Sequence, residues 1–287
     1  MIKKKIVSLQ PIMDTKTLIY RLKSWIRFHL TAWNTGGEGV HSPYLFEWIR
    51  LIMSDKNGYY IWQEIEACRQ NLLQDERLVE FVDYGMGRRV AGGVSSKFVK
   101  SIAKNSLASK KYAQMLFRLV NWLGHELQRS NDKGLIIVEL GTSLGITTAY
   151  LASANSRNKV LTFEGCEAVA KIALESWNQL NISNIECVVG EINVEQLRSI
   201  ILQQVDIAFI DANHTYASTR DYFNVLADKV HQKSVIVVDD IHHSEEMERA
   251  WKEICADERV TTTMDLYQMG LVFFDKHYWN RNYKIRL

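Results

Sequence analysis

The sequence predicts an α/β protein: a doubly wound, mostly parallel seven-stranded sheet with a C-terminal antiparallel hairpin, preceded by an α-helical N-terminal region. Three observations carry that expectation. Between residues 135 and 255, short apolar runs alternate with amphipathic stretches of helical spacing, the pattern of right-handed crossovers over a sheet covered on both faces. Each apolar run stops at an acid or a glycine, and strand ends of that kind line the ligand crevice of an open sheet. The last two runs, 260–266 and 269–274, are joined by only Tyr267 and Gln268, a link that can form only a hairpin.

Taken in order, residues 1–105 read as the helical region and 106–287 as the ligand-binding domain. In the first thirty residues Lys3, Lys4, Lys5, Lys16, Arg21, Lys23 and Arg27 stand against a single acid, Asp14. Between Thr17 and Trp33, Leu18, Leu22, Trp25, Ile26 and Trp33 recur near helical spacing. The expected structure is an amphipathic helix packed on the body with its basic face in water, since Leu, Ile and Trp are good core residues; the other reading is a membrane-surface or partner-binding helix. Thr35 to Pro43 is a glycine-rich loop carrying His41, with a helix start at Ser42-Pro43. Tyr44–Met53 and Ile61–Val79 read as helices, and the glycine-rich basic stretch Asp83–Val94 as a connection or a loop that closes over a ligand. Lys110–Gln128 is an amphipathic helix.

The strand Leu135–Val138 is followed by Glu139, Leu140 and the turn Gly141-Thr142-Ser143-Leu144-Gly145, with a helix from Ile146 to Leu151. Such a turn aims backbone N–H groups and a helix N-terminus at a ligand. It is not the Gly-x-Gly-x-x-Gly dinucleotide fingerprint, and Glu139 would repel a pyrophosphate; a carboxylate there suits a cationic ligand. Strands follow at 159–163, ending at Glu164; 185–189, ending at Gly190-Glu191; 205–210, ending at Asp211; and 234–238, ending at Asp239-Asp240. Helices are expected at 168–180, 194–202, 218–230 and 245–254.

Bulk composition excludes several classes. A net charge of +2, with no basic stripe of interleaved aromatics in the sheet domain, gives no reason to expect a nucleic-acid partner. Cys68, Cys166, Cys187 and Cys255 are scattered without C-x-x-C spacing, so neither structural zinc nor a disulfide framework is expected. No apolar run approaches the roughly 20 residues that span a bilayer, and Gln10-Pro11 and Asp14 break the N-terminal apolar run, so a cytoplasmic location is expected.

Five parallel strands closed by a hairpin resemble the class I S-adenosylmethionine-dependent methyltransferases, over about Lys110 to Phe274. Phe209-Ile-Asp-Ala-Asn-His-Thr-Tyr216 and Val237-Val-Asp-Asp-Ile241 look like the cation-dependent O-methyltransferases, including sugar enzymes whose fourth strand ends Asp-Gly-Asp-His. The resemblance implies a Rossmann-like methyltransferase fold and a set of cofactor contacts. Glu139, Gly141, Thr142, Ser143 and Gly145 would meet the amino-acid portion of the cofactor, and Glu164 both ribose hydroxyls, with its two oxygens side by side. Gly190 and Glu191 would lie at the adenine and Asp211 near the methyl donor. It further implies a divalent cation, magnesium by the hardness of its oxygen ligands, on Asp211, Asp239 and Asp240.

The chain departs from that pattern at Asn213, where the sugar enzymes carry an acid that is a candidate general base. An amide takes no proton at neutral pH, which leaves His214 as the base beside Asp211. His242 and His243 are expected to cap the helix beginning near Ser244 rather than to bind metal. The expected activity is in-line methyl transfer to an oxygen of a small-molecule or sugar-like acceptor. Two rivals stand beside it: a non-catalytic scaffold docked through the basic helix Lys16–His29, and a nicotinamide-dependent oxidoreductase, which the glycine spacing disfavours. The outer strand of the hairpin is an expected dimer edge.

Overall fold

A computed structural model describes residues 15–32, 43–55, 57–82, 95–128, 133–276 and 281–287. The chain runs α1 (Thr15–Thr31), α2 (Pro43–Trp48) continued by a π turn at Ile49–Met53, α3 (Tyr60–Gln74), β1 (Leu78–Phe81), β2 (Ser95–Phe98), α4 (Val99–Ser106) and α5 (Lys110–Gln128). It continues β3 (Ile136–Leu140), α6 (Ile146–Ser153), β4 (Lys159–Glu164), α7 (Glu167–Gln179), β5 (Ile185–Val189), α8 (Val194–Ile200), β6 (Val205–Ile210) and α9 (Tyr216–Ala227). The end is β7 (Val230–Asp239), α10 (Glu245–Cys255), β8 (Thr262–Asp265), β9 (Met269–Phe273) and β10 (Arg281–Lys284).

The large sheet has the order β10-β8-β9-β7-β6-β3-β4-β5, and only β9 runs against the rest. Alternation along the central strands divides the core between the two faces. Ile137, Phe209, Val237 and Leu271 pack with Met115, Leu119 and Leu123 of α5. Val138, Ala208, Ile236 and Val272 pack with Phe223 of α9 and Trp251 of α10. Both faces are dry, which is why these strands read as continuous apolar runs. Side-chain oxygens of Asn193, Thr215 and Ser244 accept the first free N–H groups of α8, α9 and α10 and fix where those helices begin.

Several elements differ from expectation. The sheet has eight strands rather than seven: β10 pairs in parallel with β8, because Tyr283 and Ile285 bury apolar side chains there. β8 is therefore an internal strand, and the hairpin's outer edge expected to support a dimer is covered. The helix expected over 61–79 stops at Gln74, and Leu78–Phe81 instead pairs antiparallel with Ser95–Phe98 in a separate two-stranded sheet. β7 begins at Val230, earlier than expected, where the Ser234 hydroxyl is hydrogen-bonded to the His231 N–H and the Val205 carbonyl.

The N-terminal region shares a core with the sheet domain. Trp62 and Ile65 of α3 and Val99 and Ile102 of α4 pack with Tyr150 and Trp177. α1 lies apart from that core, and the packing expected of it is reversed. Ser24 and Phe28 are buried, while Leu18, Leu22, Trp25 and Ile26 are exposed. The loop 35–42, with His41, and the stretch 83–94 lie outside the described residues.

Candidate active site

The carboxyl ends of β3, β4, β6 and β7 open onto one cavity of about 990 Å³. Gly141, Ser143, Glu164, Asp211, His214, Asp239, Asp240 and His243 lie on its wall, with Ile192 beyond β5. Opposite them stand Asn105 and Ser106 of α4, Phe81 and Val82, and Lys16, Thr17, Tyr20 and Arg21 of α1.

The turn after β3 has this shape because of two close approaches. At Gly141, φ is +100° and a Cβ would stand 2.0 Å from the Asp211 carbonyl oxygen. At Gly145, φ is +78° and a Cβ would stand 2.6 Å from Trp177 Nε1, whose N–H donates to the Gly145 carbonyl at 2.8 Å. Glycine is required at both places by packing and by the left-handed backbone. Gly141 is on the cavity wall and Gly145 is not.

Glu139 is completely buried beneath this turn. Its Oε2 accepts from Thr148 Oγ1 at 2.5 Å and Thr162 Oγ1 at 2.6 Å, while Oε1 has no hydrogen-bond partner. Burial pushes its carboxyl up to about 7 against the lowering effect of the two hydroxyls. Thr142 is buried in the same layer, with Oγ1 2.6 Å from Thr162 Oγ1. Glu164 reaches the cavity and is fixed from below: Oε2 accepts from the Ser143 N–H at 2.7 Å and Oε1 from the Cys166 N–H at 2.9 Å. Burial raises its pKa, and those N–H groups oppose the rise. Gly190 has φ of +135° and open space around it; neither it nor the exposed Glu191 is on the cavity wall.

The other side of the cavity is acid-rich. Asp211 and Asp239 are hydrogen-bonded to each other, and both are pushed well above the usual carboxylate range. Burial is the first cause; repulsion from Asp239 and Asp240 adds to it for Asp211, and from Asp240 for Asp239. Asp239 Oδ1 is buried with no partner. His214 Nε2 stands 3.4 Å from Asp211 Oδ1, and His243 Nδ1 stands 3.5 Å from Asp240 Oδ2. The two imidazoles stack, with centroids 6.1 Å apart. Burial lowers the His214 pKa, partly offset by Asp240, so the ring is neutral at pH 7.

Three residues take roles other than those expected. Asn213 Nδ2 donates to the Tyr222 hydroxyl at 2.6 Å, and that hydroxyl donates to the Ile192 carbonyl at 3.1 Å, so the amide ties the β6 loop to the β5 loop. His242 Nε2 is 2.8 Å from Asp265 Oδ2, away from the cavity. Ser244, not a histidine, caps α10. Ser106, whose Oγ is 2.6 Å from Ser143 Oγ, and Tyr20 are wall residues that sequence reasoning missed, since neither sits in a recognisable motif.

A metal was expected on Asp211, Asp239 and Asp240. Their hard oxygens and the unpartnered Asp239 Oδ1 suit a divalent cation. The arrangement does not: Asp211 and Asp239 are turned onto each other, and Asp240 is beside His243. Among the described residues no group of three His, Cys, Asp or Glu side chains is disposed to hold a metal ion.

Residues 138–241 match a family model described as a methyltransferase domain. No curated protein matches the chain. Among solved structures, the Bacillus cereus O-methyltransferase in complex with S-adenosylhomocysteine is 18% identical, with 80% of this chain and 97% of that one covered at a TM-score of 0.52. An S-adenosylhomocysteine-bound methyltransferase of Podospora anserina is 9% identical over 94% of this chain and 99% of that one, at a TM-score of 0.53. The Streptomyces achromogenes O-methyltransferase of tomaymycin synthesis, in complex with S-adenosylmethionine, is 18% identical over 60% and 82%, at 0.50. At these identities the structures speak for the fold, and the matched segment spans β3 to the end of β7, the strands that build the cavity. Residues 138–241 thus match a methyltransferase domain, and the chain shares the fold of these methyltransferase structures.

Proposed function

We propose that the protein transfers the methyl group of S-adenosylmethionine to a hydroxyl of a small-molecule acceptor. The observation that carries this reading is the single cavity joining Gly141, Ser143 and Glu164 on one side to His214 and the aspartates on the other. At about 990 Å³ it has room for a nucleoside cofactor and a small acceptor together. Glu164, steadied by two backbone N–H groups, keeps acceptor lone pairs for a ribose diol. Glu139 adds a carboxylate beneath the turn, where a cationic ligand would favour its charged form.

Bound there, S-adenosylmethionine supplies an activated methyl carbon. The protein's part is to align the acceptor, exclude water and take up the hydroxyl proton. With Nε2 turned to Asp211, the neutral His214 ring accepts that proton at Nδ1, and the adjacent carboxyls stabilise the imidazolium. Tyr20 and Ser106 close the cavity from the helical side. A magnesium ion on Asp211, Asp239 and Asp240 is a second reading, favoured by the unpartnered Asp239 Oδ1 alone, since the three carboxyls are not disposed around a common point.

The test is formation of S-adenosylhomocysteine from S-adenosylmethionine with a panel of catechol, phenol and sugar acceptors, with and without magnesium and with a chelator. Acceptor-dependent turnover supports the proposal, and loss under chelation assigns the aspartates to a metal. Methyl transfer only to amine or carbon acceptors would overturn the hydroxyl assignment.

A further inference from the structure

We propose that α1 is an amphipathic anchor that seats the protein on an anionic lipid surface. Laid out at about 100° per residue, the helix has two faces. One carries Tyr20, Ser24 and Phe28 and is fastened to the body. Tyr20 donates to Glu248, Phe28 packs on Tyr267 and His242, the Tyr267 hydroxyl donates to the Arg21 carbonyl at 3.1 Å, and Arg286 donates to the Ala32 carbonyl at 3.2 Å. The opposite face is apolar and faces solvent. Trp25, Leu18, Leu22, Ile26, Ile19 and Leu30 fall within an arc of roughly 140°. Their exposures reach 60% at Leu22 and 81% at Leu30. His29 lies inside the arc, against the Trp25 ring at 4.1 Å.

Charge identifies the occupant. Lys23, Lys16 and Arg27 follow Leu30 around one border of the arc, and Arg21 lies beyond Trp25 on the other; the helix contains no acid. The sequence just before it adds Lys3, Lys4 and Lys5 against Asp14, while the whole chain is close to neutral at +2. A second copy seated on this face would bring the same basic borders against these. Anionic headgroups complement them, with the Leu and Ile side chains entering the acyl boundary and Trp25 at the interface. Among the described residues no helix is long and apolar enough to cross a membrane, so α1 would lie in the plane of the surface. Because α1 also walls the cavity through Lys16, Thr17, Tyr20 and Arg21, docking would bring the cavity's helical wall to the headgroup layer.

The experiment is co-sedimentation of the full chain with phosphatidylcholine vesicles containing phosphatidylglycerol, against phosphatidylcholine alone, with sedimentation velocity in the absence of lipid. The expected result is binding to the anionic vesicles only, weakened by salt, lost in Leu22→Glu/Ile26→Glu, and reduced roughly fivefold or more in Lys23→Glu. Leu30→Glu, at the most exposed position of the arc, gives the same loss if the double variant is poorly folded. Absent binding, equal binding to both compositions, or binding that survives Leu30→Glu overturns the proposal. A dimer that these substitutions break, in a protein that ignores vesicles, would give the face to a second copy. The readout is binding alone, so it stands or falls separately from the methyl-transfer reading.

Discussion

The β4 corner of the cavity and the β6–β7 corner are both built around strand-end carboxyls, and the fold treats them differently. At the β4 corner Glu164 receives a backbone N–H on each oxygen, so its position is set before any ligand arrives. At the other corner Asp211 and Asp239 are turned onto each other with both carboxyls pushed above the usual range by burial, Asp239 Oδ1 lacks a partner, and burial lowers the pKa of the neighbouring His214. The first corner is preorganised for recognition. The second is held away from its ordinary protonation states, the condition expected of groups that move protons or meet a cation.

The largest expected effect comes from the second corner. His214→Gln removes the proposed base and should lower kcat by roughly 10²–10⁴-fold, leaving S-adenosylhomocysteine affinity within about twofold. Equal losses in affinity and turnover would make His214 a binding residue and erase the distinction. At the first corner the balance should invert. Glu164→Ala should weaken S-adenosylhomocysteine binding by about 1–3 kcal/mol, the scale of hydrogen bonds to a charged group. Unchanged affinity in a calorimetric titration would mean that the ribose lies elsewhere.

Glu139, beneath the turn, sharpens the comparison through pH. Its folded carboxyl titrates at about 7 against an ordinary 4.5, so the folded state holds a proton that the unfolded chain has released across that window. Its contribution to stability is present below 4.5 and is lost as pH rises through 7. Glu139→Gln should match the parent near pH 4 and exceed it at pH 8 by about 1–3 kcal/mol, measured by denaturant melts at each pH. An unaltered pH slope would contradict the buried-acid account. The smallest effect is expected at Glu191, which is exposed and off the cavity wall; Glu191→Ala should change cofactor affinity by less than about twofold.

Most of the sheet was legible because its central strands are dry on both faces and the parallel strands end on acids or glycines. The match at 205–210 follows directly from that patterning, and that of the helix Lys110–Gln128 from its amphipathic spacing. The eighth strand was not, because Arg281–Lys284 is short and mostly polar, and only its position beside β8 makes it a strand. β1 escaped for a similar reason: Leu78 and Val79 continue the apolar periodicity of α3, and pairing with Ser95–Phe98 decides their state. In the site, the strand-end acids could be read singly, but their relation could not. Sequence cannot say that Asp211 turns to Asp239, that Asn213 is committed to Tyr222, or that Glu191 misses the cavity while Ile192 lines it. α1 shows the opposite failure. Its amphipathic pattern was plain, yet the pattern alone does not say which face meets the body.

The most direct test of the central claim, that the cavity's β3–β4 side is a ready-made site for S-adenosylmethionine, is calorimetric titration of S-adenosylhomocysteine into the purified protein, alongside Glu164→Ala. The account predicts micromolar binding, about −8 kcal/mol, in the parent and a clear loss in the variant. No heat of binding in the parent, with or without magnesium, would contradict it.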